Sequence, residues 1–257
     1  MAPPRFLLPP IAPGATAVQL PDAVAHHAAR VLRLRRGDAL VVFDGSGGEY
    51  PARFEPGPQA GAQALLGAFD ASEREAVRPV TLVQALLAPD RLAWSIEKAV
   101  EFGAAQILVF PAARSASRAP ADRNERRAQR WRAIAEAACC QCGRNRVPGV
   151  AWCGGIDEAL LAAPAPLRVV LDPRAERGLA DVLGAAPGSA LSPVAVLVGP
   201  EGGFTPEEVA LLAAQGVVAA RLGARVLRGE GAGLAALAAI LALAGEFGGS
   251  RPRPAGA

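Results

Sequence analysis

The sequence predicts an α/β protein in two parts: a small N-terminal region of short strands and turns, then a larger domain of alternating strands and helices around a mainly parallel sheet. Three observations carry this. From Pro79 onward, short β-rich apolar runs alternate with stretches of helical periodicity. Before Glu55 the apolar runs are short and separated by turn signals. Between Glu55 and Arg78 the chain is rich in Gly, Pro and Ala with weak periodicity, which marks a domain boundary, although one more strand of the small region (Ala64 to Phe69) falls inside it. At 257 residues and 51% hydrophobic, the chain is long enough to bury a substantial core.

The elements follow in order. Asp22 to Leu34 has helical spacing at Val24, His27, Val31 and Leu34, and Arg36-Gly37-Asp38 turns the chain into a strand, Leu40 to Phe43. Asp44-Gly45-Ser46-Gly47-Gly48 is a strong turn signal, and Glu49 to Phe54 returns as a strand. In the larger part, Val80 to Leu87 is a strand. Pro89 to Phe102 is a helix with Leu92, Ile96 and Val100 on one face, ended by Gly103. Gln106 to Phe110 is a buried strand. Asp122 with Glu125 forms a capping box for a long helix to Cys142. Strands are expected at Val147 to Trp152, Leu167 to Leu171 and Val194 to Val198. Thr205-Pro206-Glu207-Glu208 starts another helix, with Thr as cap, Pro in the first turn and Glu three residues on. Val217 to Leu222 is the next strand, and an almost wholly apolar helix runs from Glu230 to Phe247. Residues 248–257 form a Gly/Pro/Arg tail, expected to be disordered.

Composition excludes several classes. The chain is too apolar and too evenly charged for a disordered tail protein, and its 4 Cys are too dilute for a disulfide scaffold. No stretch reaches the roughly 18 apolar residues of a membrane span, and the N-terminus has no apolar signal core. The expected setting is soluble and cytoplasmic. The net charge of +3 hides a patchy distribution: Lys98 is the only lysine among 27 basic residues, and the arginines cluster. Arg30, Arg33, Arg35 and Arg36 lie beside His26 and His27 with no acid among them. From Arg114 to Arg146, nine Arg face only Asp122, Glu125 and Glu136. Such patches suit a phosphate backbone, although a solvated arginine face would look the same.

The most informative stretch is Leu197-Val198-Gly199-Pro200-Glu201-Gly202-Gly203-Phe204-Thr205, which leaves a buried strand and bends into a helix. Ligands of open α/β sheets bind outside the carboxyl ends of strands. Glycines at 199, 202 and 203 let backbone approach a ligand closely. The stretch lacks the GxGxxG spacing and the P-loop lysine. A second strand-to-helix loop, Arg221-Leu222-Gly223-Ala224-Arg225-Val226-Leu227-Arg228-Gly229-Glu230, could form the opposite wall of one pocket. Cys139 and Cys142 make a CxxC, but a zinc site would need a second ligand pair, and a redox motif belongs at a helix start. Buried free thiols fit better, and no metal is expected.

The motifs together are similar to those of the bacterial 16S ribosomal RNA (uracil-N3) methyltransferases of the RsmE type, in the SPOUT superfamily. They are Pro4-Arg5-Phe6, His26-His27-Ala28-Ala29-Arg30-Val31-Leu32-Arg33 with Gly37-Asp38, Glu97-Lys98-Ala99-Val100-Glu101-Phe102-Gly103, Gln141-Cys142-Gly143-Arg144-Asn145-Arg146-Val147-Pro148, Gly199 to Gly203, and Leu222 to Arg228. Two positions depart from the pattern: Cys140 stands where the family commonly has Glu, and Gly231 where many members have Thr.

The resemblance implies a PUA-like β-barrel over residues 1–75 and a SPOUT α/β domain over 76–247, with a C-terminal trefoil knot over about 167–247. It implies S-adenosylmethionine held by Leu171, Gly199, Pro200, Glu201, Gly202, Gly203, Leu222, Gly223, Val226, Leu227 and Arg228. It also implies a homodimer acting on 16S ribosomal RNA or the small ribosomal subunit. For the chemistry, Arg228 and then Arg225 are expected to stabilise the uracilate, with Glu201 or Glu230 as proton acceptor or base-orienting group. RNA would be held by Arg5, His27, Arg30, Arg33, Arg114, Arg118 and Arg144, mainly through phosphate. On the residues alone, a non-catalytic RNA-binding module, another nucleotide-using α/β enzyme, or a related methyltransferase acting on a different base stay open.

Overall fold

The computed structural model describes residues 2–57, 61–115, 124–186, 188 and 191–248. The described chain divides into two compact units, residues 2–75 with Cys139–Val147, and Ala76–Ala138 with residues 148–248. Arg118, Asp122 and the tail from 249 lie outside the described residues.

Among the described residues, the smaller unit has a five-stranded sheet. Its strands are β1 (Arg5–Leu7), β2 (Ala17–Gln19), β3 (Ala39–Phe43), β4 (Tyr50–Pro56) and β5 (Ala62–Leu66), in the order β1-β3-β4-β5-β2. β1 runs parallel to β3 and the remaining neighbours are antiparallel. The Asp44 turn joins β3 to β4 through its own side chain, which accepts from the Ser46 amide at 3.0 Å. Alternation along β4 buries Ala52 and Phe54 and exposes Arg53, and Phe54 sits opposite Ala64 in register. Phe6, Leu8, Leu20, Leu40 and Val42 complete this core.

The helix expected to reach Leu34 is shorter. Helix α1 (Asp22–His26) continues as one wider π-turn over His27–Val31 and stops. The chain must leave the helix axis there to lay Leu34 back on the core, and the Leu34 amide donates to the Ala28 carbonyl at 2.9 Å. The reversal falls on Arg33, whose φ of 57° is left-handed, a position glycine usually fills. An L side chain there costs roughly 1–2 kcal/mol. Arg33→Gly should therefore stabilise the protein by about 1 kcal/mol, read as a rise in melting temperature; an unchanged or lower melting temperature would overturn this reading of the turn.

A charged network sits in the same unit. The Arg5 guanidinium lies over the Phe43 ring at 4.9 Å and donates to Glu49 at 2.5 Å and to Asn145 Oδ1 at 2.6 Å. Arg74 donates to both Glu49 oxygens, at 2.8 and 3.0 Å. Burial pushes the Glu49 carboxyl up, but the hydrogen bonds and charges of Arg74 and Arg5 outweigh it and hold it below its ordinary value. Arg144 is buried and paired with Glu75. Arg5 and Arg144 were expected on the RNA face. Their guanidiniums are instead engaged by acids inside the unit, because a buried cation needs a partner anion.

The larger unit has, among the described residues, a six-stranded sheet of β6 (Val80–Ala85), β7 (Gln106–Phe110), β8 (Gly149–Trp152), β9 (Leu167–Leu171), β10 (Val194–Val198) and β11 (Val218–Ala220). The order is β11-β9-β10-β6-β7-β8 and every neighbouring pair is parallel. The helices are α2 (Pro89–Glu101), α3 (Asn124–Cys142), α4 (Ile156–Ala162), α5 (Leu179–Ala185), α6 (Pro206–Ala214) and α7 (Gly229–Leu243). Helices cover both faces, which is why β10 is buried at every position and reads as an unbroken apolar run. Val83, Phe110, Ala195 and Leu197 pack toward Leu160 of α4 and Leu212 of α6. On the other face α7 lies against β6 and β10. Gly233 permits this: a Cβ there would stand 2.8 Å from Leu82 Cδ1 and 3.3 Å from Val198 Cγ2.

Boundaries differ where local chemistry intervenes. β8 begins after Pro148, which has no amide hydrogen for the ladder. α7 ends at Leu243, because the chain turns through the left-handed Gly245 (φ 87°). Among the described residues, no helix is long and apolar enough to cross a membrane.

Candidate active site

A cavity of about 670 Å³ lies in the larger unit beyond the carboxyl ends of β9, β10 and β11. Three loops line it: Leu171 to Arg174 after β9, Gly199 to Phe204 after β10, and Leu222 with Arg225 to Gly229 after β11. β10 stands between β9 and β6, where the chain, having built β7 and β8 on one side, has crossed to the other. That reversal is where open α/β sheets form ligand crevices.

Each loop is shaped by its own residues. Gly203 is left-handed (φ 67°) and donates its amide to the Pro200 carbonyl at 2.9 Å, making the turn. Gly199 leaves no room for a side chain, since a Cβ would meet the Phe204 ring at 3.1 Å. That ring lies parallel to Phe110 with centroids 6.4 Å apart. Thr205 caps α6 by accepting the Glu208 amide at 3.3 Å, and Glu208 accepts the Thr205 amide at 2.9 Å. Its other oxygen accepts the Ala113 amide at 2.7 Å. Arg114 donates to the Gly202 carbonyl at 3.1 Å. On the β9 loop, burial raises the Asp172 carboxyl, but the Arg174 side chain and amide outweigh it and hold the group below its ordinary value. The Arg228 carbonyl starts α7 by accepting the Ala232 amide at 2.8 Å. Gly231 faces open space, so a threonine would be tolerated there.

The charged residues separate into two sets. Arg225 and Arg228 line the cavity and are exposed, and their side chains make no hydrogen bond or ion pair with the described residues. Glu201 lines it too, with an oxygen 3.3 Å from Arg91 Nη1. Glu230 does not line the cavity. It lies 3.8 Å from Arg91 Nε, and its second oxygen is buried without a partner. The structure thus brings Arg228, Arg225 and Glu201 together and leaves Glu230 behind Arg91. Arg91 itself escapes sequence reasoning. Its signal is that Ala88-Pro89-Asp90-Arg91 follows the end of a strand, as the two glycine loops do. Leu171, Pro200, Leu222, Val226 and Leu227 line the cavity, whereas Gly223 does not; Val226 is 79% exposed.

Of the residues expected to hold RNA, His27, Arg30 and Arg33 are exposed on the small unit, with His27 edge-on to Phe6 at 6.1 Å. Arg114 is exposed on the larger unit and lines the cavity. None of the four cysteines is in a disulfide. Burial pushes the Cys139 thiol up to about 12 and the Cys153 thiol up to about 11, which leaves both protonated and unreactive. Among the described residues, no group of three or more His, Cys, Asp or Glu could hold a metal ion.

Comparison with known proteins agrees with this architecture. The family model of an RNA methyltransferase domain matches residues 73–241, and that of an RNA methyltransferase PUA domain matches residues 20–58. Fold and cavity therefore define an RNA methyltransferase with a PUA domain. Ribosomal RNA small subunit methyltransferase E of Mycobacterium bovis is 37% identical over 224 residues, covering 83% of this chain and 82% of the relative. Its counterpart in Bacillus subtilis is 30% identical over 219 residues, covering 84% and 86%. The crystal structure of the Neisseria gonorrhoeae enzyme of the same name, bound to S-adenosyl methionine, superposes with a TM-score of 0.86 at 33% identity, covering 94% of this chain and 98% of that one. The chain belongs to the ribosomal RNA small subunit methyltransferase E family.

Proposed function

We propose that this protein transfers a methyl group from S-adenosylmethionine to N3 of a uridine in 16S ribosomal RNA, in the cytoplasm. The observation that carries this is the cavity at the ends of β9, β10 and β11, with glycine-rich backbone on one wall and two unpaired arginines on another. Its residues fit the cofactor. About 670 Å³ lies within the roughly 300–1,000 Å³ of small-molecule sites. Gly199, Gly202 and Gly203 let main chain approach closely, Val226 and Leu227 offer apolar contact, and Asp172 and Glu201 offer acceptors to hydroxyl or cationic groups. When bound, S-adenosylmethionine supplies an electrophilic methyl on a sulfonium.

The protein's own task is to position the uracil and stabilise its anion. N3 becomes nucleophilic only as its proton leaves, which moves negative charge onto O2 and O4. Arg228, with Arg225 beside it, is the unpaired cation available to meet that charge. Of the two acids lining the cavity, Asp172 is engaged by Arg174, and Glu201 is the one that can take the N3 proton or orient the ring. Glu230 withdraws from a direct role, since it does not line the cavity. The target base must be unpaired or flipped out to enter. His27, Arg30 and Arg33 on the small unit and Arg114 on the larger one hold phosphate.

Three further features belong to this reading. The curled small sheet closes as a PUA-like barrel. The C-terminal chain forms a trefoil knot, supported by α7, which leaves β11 at the sheet's edge yet lies on β6 and β10 at its centre. The protein is a homodimer, supported by exposed Trp94, Leu243 and Phe247 on and beside α2 and α7. The test is methyl incorporation into 16S ribosomal RNA from undermethylated small subunits, with the product nucleoside identified after digestion. 3-Methyluridine is expected. A different methylated base, or none from an enzyme that binds no S-adenosylmethionine in calorimetry, overturns the reading.

A further inference from the structure

Two acids from separate parts of the chain converge on one cation. Glu201 belongs to the loop after β10, Glu230 to the first turn of α7, and Arg91 to the first turn of α2. Arg91 Nη1 is 3.3 Å from Glu201 and its Nε is 3.8 Å from Glu230. Among the described residues, neither acid has another ion partner. A cation at a helix N-terminus opposes the helix dipole, whereas an acid at the start of α7 is favoured by it. Glu230 is thus the anchored member, its side chain only 15% exposed, and Arg91 sits against the dipole of α2 because the two carboxylates offset it.

We propose that Arg91 is a positioning residue of the methyltransferase site: it ties the Glu201 loop to the start of α7 through Glu230, and so sets where Glu201 and Arg228 stand around the reacting groups. The inference rests on the methyl-transfer reading given above. Arg228 is the cap residue of α7 and Glu230 lies two residues beyond it, so a strap on Glu230 also constrains the arginine expected to stabilise the uracilate. Arg91 and Glu201 are 41% and 31% exposed at the side chain, and pairs this open contribute little to stability. The strap therefore acts on geometry, where a displacement of about 1 Å can cost 100-fold in rate.

Arg91→Met keeps the aliphatic stem and removes the charge. It should lower kcat on 16S ribosomal RNA by roughly tenfold or more, and raise KM for S-adenosylmethionine several-fold, with an unchanged melting temperature. Arg91→Lys should recover part of the loss, since a lysine can reach one carboxylate at a time. Glu230→Gln should lower kcat in the same direction. The double variant should be no worse than Arg91→Met alone, because both changes cut one strap. Wild-type kinetics in Arg91→Met, losses that add in the double variant, or a fall in melting temperature that Lys does not repair would each overturn the inference. Calorimetry of the unmutated protein separates the two claims. If it binds S-adenosylmethionine and methylates RNA while Arg91→Met does the same, only the strap fails. If it binds none, the site reading fails as well.

Discussion

Arg228→Ala is expected to lower kcat for RNA methylation by about 10²–10³-fold, the usual cost of removing one charge-stabilising donor from a transition state. The structure makes this a clean experiment. The side chain is exposed and unpaired, so its loss removes no packing and leaves no buried partner stranded. What α7 needs from residue 228 is its carbonyl, which accepts the Gly231 and Ala232 amides at 3.0 and 2.8 Å, and alanine supplies that equally well. Melting temperature should therefore hold within error while single-turnover methylation at saturating S-adenosylmethionine collapses. Arg225→Ala should cost less, because Arg225 sits farther from the start of α7. Undiminished methylation by Arg228→Ala with normal cofactor affinity would remove Arg228 from the chemistry.

The second large effect is on stability. Phe110→Ala should destabilise the larger unit by about 3–5 kcal/mol, the range for emptying a phenylalanine site in a packed core. That corresponds to a fall in melting temperature of roughly 6–20 °C for a domain of this size. Phe110 is fully buried at the carboxyl end of β7 and supports the Phe204 ring, which in turn abuts Gly199. The cavity wall is thus propped from the core. Phe110→Ala should also weaken S-adenosylmethionine binding at temperatures where the protein is still folded, as isothermal calorimetry would show. Phe110→Leu, which keeps most of the volume, should lose much less of both.

The strands of the larger unit were legible because a sheet covered on both faces needs largely apolar runs; β10 is unbroken, and β6, β7 and β9 are interrupted only by Thr81, Gln84, Gln106 and Arg168. The cap of α6 was legible because Thr205 and Glu208 carry the reciprocal hydrogen bonds in their side-chain types. Helices α4 and α5 were not. Each has seven residues and begins after a glycine that makes no side-chain cap, so neither periodicity nor a start signal identifies it. The cavity's glycine loops and unpaired arginines could be read as local motifs. Arg91 could not, because its meaning lies in two carboxylates more than a hundred positions away. For the same reason the pairing of Arg5 with Glu49 and of Arg144 with Glu75 was not legible: charge clustering along a chain does not reveal which arginines already face an acid.

The strand order also constrains when the site can come into being. Val80 of β6 pairs with Val194 of β10, and Val194 in turn pairs with Leu167 of β9. Cys139–Val147 likewise joins the unit formed by the first 75 residues. Neither unit can finish as it emerges during synthesis, because each waits for chain made much later. High contact order of this kind slows folding and leaves strand edges open in the interval. The cofactor cavity, built on β9, β10 and β11, is the last part of the enzyme to exist. A nascent or C-terminally truncated chain would carry the basic turn at Arg30 and Arg33 before it had a cofactor cavity.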